Sequence, residues 1–247
     1  VKKEYAYILI TYIVMQLSGI VGYPIVYKIG TAFFDVNDAA MKSLANAIWI
    51  VVSFTIALVI VLLILRKTEK HTKMDRAVPL STGASILWAI GGVFLAFIAQ
   101  SIAINIERML GIPMGSENTK KIISIIEATP IVILVSSICG PILEEIIFRK
   151  IIFGSLYERF PFSVSALISS LIFALAHFEP IHIILYTAMG FTFAFLYVRT
   201  KRIIVPIFAH VTMNTVVVIA QSVFKDDIER LMHEADKMQG FIGGFFS

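Results

Sequence analysis

Apolar positions in this chain do not alternate with polar ones; they run on without a break until a charged cluster interrupts them. About 20 consecutive apolar residues cover the ~30 Å hydrocarbon core of a bilayer, so runs of this kind predict membrane-spanning helices. Strands of a transmembrane barrel would show a two-residue alternation, which these runs lack. Seven segments follow, at roughly 5–27, 44–65, 82–106, 122–148, 162–177, 182–198 and 203–224. The expected fold is an all-α, polytopic transmembrane helix bundle.

Two of the segments are short. From Phe162 to His177 the helix would reach about 24 Å at ~1.5 Å per residue, less than the hydrocarbon thickness. The linker HFEPIH then holds Pro180, which biases Glu179 away from helical backbone. Non-helical backbone at depth is tolerated where protein buries it or where it lines a wet cavity. His177 is therefore expected to end a helix beside such a cavity, with Glu179 and His182 as further candidates for its wall.

Composition agrees with one bundle rather than soluble domains. The 247 residues are 58% hydrophobic, with a mean hydropathy of +0.87. A net charge of +4 does not point to nucleic acid, because the basic residues fall in loops between apolar runs. Lys2, Lys3, Arg66, Lys67, Lys70, Lys73, Arg76, Arg149, Lys150, Arg159, Arg199, Lys201 and Arg202 would share one side, thirteen of the 21 Lys and Arg. The positive-inside rule puts that side, and the N-terminus, in the cytoplasm. The first segment is too long for the apolar part of a signal peptide and lacks a small-residue cleavage site, so it reads as a retained span. His71 reads as solvated in the basic loop RKTEKHTKMDR. Cys139, the single cysteine, forms no intramolecular disulfide and reads as a small packing residue. After Phe224, Ile228, Leu231, Met232, Ala235 and Met238 recur at helical spacing, which predicts an interfacial amphipathic helix.

Against this apolar background a few polar residues stand out. An ionisable group at membrane depth costs at least about 2.5–3.5 kcal/mol, so it rarely sits there without a task. Glu144 and Glu145 lie in GPILEEIIFRK, His177 in SLIFALAHF, and His210 with Asn214 in VPIFAHVTMN. Neighbours on a helix point about 100° apart, so the two carboxylates face different ways. Glu145 shares a face with Arg149 and is expected to pair with it. Glu144 is left without a local cation, an arrangement that suits a general base acting on water. Phe173 packs one turn before His177. His210 and Asn214 share a face and could together donate to an oxyanion; interhelical hydrogen bonding would explain the same pair. The Glu and His side chains could also ligate zinc, although H-E-x-x-H is missing. A transporter, scaffold or immunity protein could bury them as well.

Glu144-Glu145-x-x-x-Arg149, Phe173-x-x-x-His177 and His210-x-x-x-Asn214 resemble, in order, the three motifs of the CPBP (Abi) family. These are CAAX-processing and bacteriocin-processing intramembrane proteases, and the similarity is to bacterial members. It spans about residues 120–220. The resemblance implies a glutamic endopeptidase in which Glu144 activates water with help from His177, while His210 and Asn214 form the oxyanion hole. Glu145, Arg149 and Phe173 would support them, with no cofactor and no metal. It further implies a membrane-associated peptide or protein substrate and a site opening to the cytoplasm. Family members often have eight spans against the seven read here. The chain thus divides into N-terminal transmembrane helices (1–119), a catalytic transmembrane core (120–224) and an amphipathic tail (225–247).

Overall fold

The computed structural model describes residues 3–68 and 72–224, with Asp227, Arg230 and Glu234 beyond them. The tail helix expected from Ile228 to Met238 and the loop position of His71 lie outside the described residues. The protein is an all-α membrane helix bundle. Its elements are α1 (Lys3–Phe33), α2 (Asp38–Lys67), the single turn α3 (Lys73–Arg76), α4 (Thr82–Met109) and α5 (Glu117–Ala128). After these come α6 (132–156), α7 (Phe162–Leu175), α8 (Ile183–Thr200) and α9 (Ile204–Val223). Helix starts follow from capping: the side chains of Asn37, Ser81 and Ser116 each accept an N–H three residues on, replacing a bond that the first turn lacks.

By length and apolar composition, α1, α2, α4, α9 and the helical run Pro180–Thr200 can each cross a membrane, and α7 is a shorter apolar helix. Many of their large apolar side chains face outward. On α1 Ile13, Val14, Leu17, Ile20 and Val21 are all more than half exposed, a surface suited to lipid and far too apolar for water. The fourth expected segment, 122–148, is not one helix. Thr129 leaves helical backbone at φ −146° and ψ 85° because Pro130 follows it. The chain then restarts as α6 and continues to residue 156. What precedes the break is α5, which carries Ile122, Ile123, Ile125 and Ile126 on one side and Lys120, Lys121 and Ser124 on the other. An expected domain boundary at 119/120 falls inside this helix.

Two close approaches set helix spacing. A Cβ on Gly22 would lie 2.0 Å from the Trp49 ring, and one on Gly190 would lie 2.9 Å from the Ser170 backbone. These glycines let α1 meet α2 and α8 meet α7 at short range.

The helix ends gather at two poles. At one, Leu80 N–H donates to the Thr200 carbonyl and Arg202 Nε to the Leu80 carbonyl at 3.0 Å. Met74, Phe153, Ala166, Ala194 and Tyr197 pack there as one buried cluster. Asp75 fastens that pole. Its carboxylate accepts from Tyr5 Oη at 2.9 Å, from Thr72 N and Oγ1, and pairs with Lys150. Partial burial opposes its charge, but Lys150 and Thr72 outweigh that and hold the carboxyl below its ordinary value of 3.8. A depressed folded pKa contributes stability above pH ~4 that is lost as pH falls through the folded value. Asp75→Asn should therefore lower the melting temperature at pH 7 and remove part of the acid dependence below pH 4. An unchanged acid limb in thermal scans would assign that limb to other carboxylates.

Candidate active site

The π-helical parts of α6 shape the site. Val135–Cys139 and Glu145–Phe153 both adopt π geometry, visible as Gly140 N–H reaching the Val135 carbonyl and Gly154 N–H the Arg149 carbonyl, each five residues back. Such wide turns recur at functional sites. Here the second one starts at Glu145, immediately after Glu144. Ser169 Oγ of α7 donates to the Phe148 carbonyl at 2.6 Å and pins the widened turn.

Glu145 and Arg149 are paired and fully enclosed. Glu145 Oε2 lies 3.3 Å from Arg149 Nε, with side chains 0% and 1% exposed. This contact is an ion pair by distance but not a hydrogen bond by geometry, and the guanidinium nitrogens make no hydrogen bond among the described residues. Aromatic faces surround the cation instead: Cζ stands 4.2 Å from the Phe173 ring centroid and 5.3 Å from that of Phe193. Such desolvated cation–π contacts contribute about 2 kcal/mol or more.

His210 joins the two carboxylates, which the sequence pattern did not reveal. Its Nδ1 is 2.9 Å from Glu145 Oε1, and its Nε2 is 3.7 Å from Glu144 Oε2. Phe193 stacks on its ring at 4.5 Å and 19°. Glu144, 21% exposed at its side chain, therefore does have a potential cation nearby, on α9 rather than on its own helix.

His177 lies just past the end of α7, where Phe178 takes a φ of 55°, costly for a bulky residue and typical of functional loops. His177 Nδ1 is 2.8 Å from the Phe173 carbonyl, a contact that places the proton on Nδ1 and leaves Nε2 as an acceptor. Tyr186 stacks on the ring at 4.0 Å and 25°, and Phe173 meets it edge-on at 4.5 Å.

One cavity of about 460 Å³ brings these groups together. Glu144, Phe173, His177, His210 and Asn214 all line it. Glu145 and Arg149 do not; they stand behind it. His182 lines the cavity while bonding Glu107 Oε2 at 2.7 Å and the Gly115 carbonyl at 3.1 Å. Glu179 is not in the wall but ties α5 to it, accepting from Ser116 Oγ and Glu117 N at 2.6 Å each and from Tyr186 Oη at 2.8 Å. Partial burial opposes its charge, yet these donors hold the Glu179 carboxyl below its ordinary range. Sequence reasoning missed Tyr186, Phe193 and Glu107. Aromatic or acidic residues at helix positions carry no local signal of what they meet across a bundle.

The cavity is set off from the pole that carries the N-terminus. Past Glu144, the last residue that α6 gives to the cavity, Ile146, Ile147, Phe148, Ile151 and Phe153 are all at most 3% exposed. Its other end is walled by the exposed Pro113, Gly115 and Phe178.

Residues 126–216 match the family described as type II CAAX prenyl endopeptidase, Rce1-like. The chain is 51% identical over 246 residues to YdiL of Bacillus subtilis (strain 168), a protein named as a membrane peptidase, covering 99% of both chains. It is 38% identical over 192 residues to the membrane-embedded CAAX protease MroQ of Staphylococcus aureus (strain USA300), covering 75% of this chain and 78% of that one. No solved structure matches it.

Proposed function

Since the chain belongs to the Rce1-like CAAX protease family, as the similarity to YdiL and MroQ shows, we propose that it is an intramembrane glutamic endopeptidase. It would hydrolyse a peptide bond of a membrane-associated peptide or protein with water activated by Glu144. The observation that carries this reading is the convergence of Glu144, His177, His210 and Asn214 on one cavity from three separate segments.

Each group has a task that its surroundings support. Glu144 takes a proton from water as the oxygen attacks the carbonyl carbon, and His177 Nε2, free to accept, orients that water. With Nδ1 against Glu145 Oε1, the His210 ring turns Nε2 toward the cavity, where an N–H would donate to an oxyanion. The Asn214 amide supplies the second donor. As the tetrahedral intermediate collapses, the C–N bond breaks and the leaving amine receives the proton held by Glu144.

Comparing membrane peptides from cells carrying wild-type protein and Glu144→Gln tests the activity directly. A small membrane peptide should accumulate uncut in the variant; identical peptide profiles would remove the peptidase reading. Asn214→Ala should lower kcat about 100- to 1,000-fold with little change in KM, since its donor acts on the transition state. A change confined to KM would place Asn214 in substrate binding. His210→Ala should show the same loss of kcat together with a lower melting temperature, because Glu145 loses its Nδ1 partner.

A further inference from the structure

We infer that Tyr186 and Glu179 are positioning residues for His177, and that they make the setting of its ring depend on the docking of α5; the inference rests on the role given to His177 above. His177 stands beyond the last turn of α7. Next to it Phe178 has a positive φ of 55°, and Glu179 a φ of −130° with ψ 70°. No helical backbone therefore sets the side chain. One hydrogen bond, from Nδ1 to the Phe173 carbonyl at 2.8 Å, fixes a point on the ring but not its plane. The face of Tyr186, 4.0 Å away and 25° from parallel, supplies the plane. Stacking alone is a weak restraint, so the phenol itself has to be held.

Glu179 holds it. Tyr186 Oη donates to Glu179 Oε2 at 2.8 Å and lies 3.3 Å from Ser116 Oγ. The same Oε2 accepts from Ser116 Oγ at 2.6 Å. Oε1 accepts from Glu117 N–H at 2.6 Å and from Asn118 N–H at 3.3 Å. Those two N–H groups open α5, where a helix lacks internal acceptors and a carboxylate is favoured. Ser116 also caps α5 by accepting Thr119 N–H at 3.0 Å. One carboxylate thus ties the start of α5, the α7–α8 linker and the first turn of α8 to the ring that stacks on His177. The four donors are not alike: a backbone N–H can only donate, whereas a hydroxyl can also accept. In Glu179→Gln the amide oxygen can keep Glu117 N–H and Asn118 N–H, while its NH2 donates to Ser116 Oγ and Tyr186 Oη. Glu179→Ala removes every tie.

Histidine-selective 13C labelling of the purified protein reads the ring directly by NMR. The chain has five histidines, and the signal absent in His177→Ala assigns His177. Its ring protons lie against the face of Tyr186 and should be shifted upfield in the wild type. That shift should be lost in Tyr186→Leu and Glu179→Ala and kept in Glu179→Gln, with the His210 signal unmoved as a sign that the bundle is intact. Turnover, measured on the peptide that accumulates in Glu144→Gln cells, should follow the same order. We expect kcat to fall about 100-fold in Tyr186→Leu and Glu179→Ala, the scale of a ~1 Å misplacement, with KM little changed. Glu179→Gln should recover most of the rate. An unmoved His177 signal in Glu179→Ala would overturn the inference, as would a lost shift beside wild-type kcat. So would Glu179→Gln as impaired as Glu179→Ala, which would give Glu179 a role for its charge, or a change confined to KM, which would make Tyr186 a substrate contact. The signals involve no hydrolysis: the expected shifts in a protein that cuts nothing would reject the function proposed above, whereas unmoved shifts beside normal cutting would reject this inference alone.

Discussion

Glu144→Gln should abolish turnover while expression, membrane insertion and melting temperature stay near wild type. The amide keeps the size of the carboxyl but cannot take a proton, and general base catalysis alone accounts for about 100- to 10,000-fold. The loss should sit at or beyond the upper end of that range, because the same group returns the proton to the leaving amine. Glu144 should tolerate the change structurally: it lines a cavity, and its contact with His210 Nε2 is 3.7 Å, too long for a hydrogen bond. Cleavage near the wild-type rate would end the glutamate mechanism. A companion measurement separates that mechanism from zinc chemistry. Purified protein should retain activity after prolonged chelation and carry no stoichiometric zinc by elemental analysis. One zinc per chain, lost together with activity in His177→Ala, would establish a metallopeptidase instead.

Arg149→Ala should be the most destabilising single change in the site. Removing one partner of a buried ion pair costs about 3–5 kcal/mol, because the other charge is stranded. Here the stranded group would be Glu145, 0% exposed and left with His210 as its partner. The side chain also fills space between Phe173 and Phe193, so its deletion adds a void to the lost charge. Arg149→Lys should recover little, since an ammonium lacks the flat face that stacks on both rings. A paired change, Glu145→Gln with Arg149→Met, should restore much of the melting temperature lost in Arg149→Ala, as replacing a buried ion pair with matched neutral groups often does. Activity should stay low in the pair, because His210 no longer has its carboxylate. If Arg149→Ala were as stable as wild type yet inactive, Arg149 would have to act on substrate, which its position behind the cavity does not suggest.

These two variants fail for different reasons, and the geometry says why. Glu144 faces the cavity and can change its charge without disturbing packing. Glu145 and Arg149 face the packed side, where they hold His210 from behind. A fluorescence or calorimetric melt beside each activity assay therefore separates chemistry from support.

The sequence by itself determined the class of the fold and singled out Glu144, His177, His210 and Asn214, which line one cavity. A helix in lipid must satisfy its own backbone, so long apolar runs have one structural outcome. The pairing of Glu145 with Arg149 was legible because residues four apart on a helix are neighbours whatever surrounds them. The place of His177 beside a cavity was legible from Pro180 and from the shortness of the preceding helix. Tertiary structure alone decided the rest. His210 meets Glu145 across 65 residues of chain, and hydrophobic periodicity describes one helix at a time. The stacking of Tyr186 on His177 and of Phe193 on His210, and the Glu107–His182 bond, depend on how neighbouring helices are rotated. The π turns changed the pitch of α6 in the stretch where Glu144 and Glu145 lie, and no residue there announces it. The cavity followed from packing as well. Side chains on eight helices line it, from Tyr12 on α1 to Asn214 on α9, and no single segment carries that information.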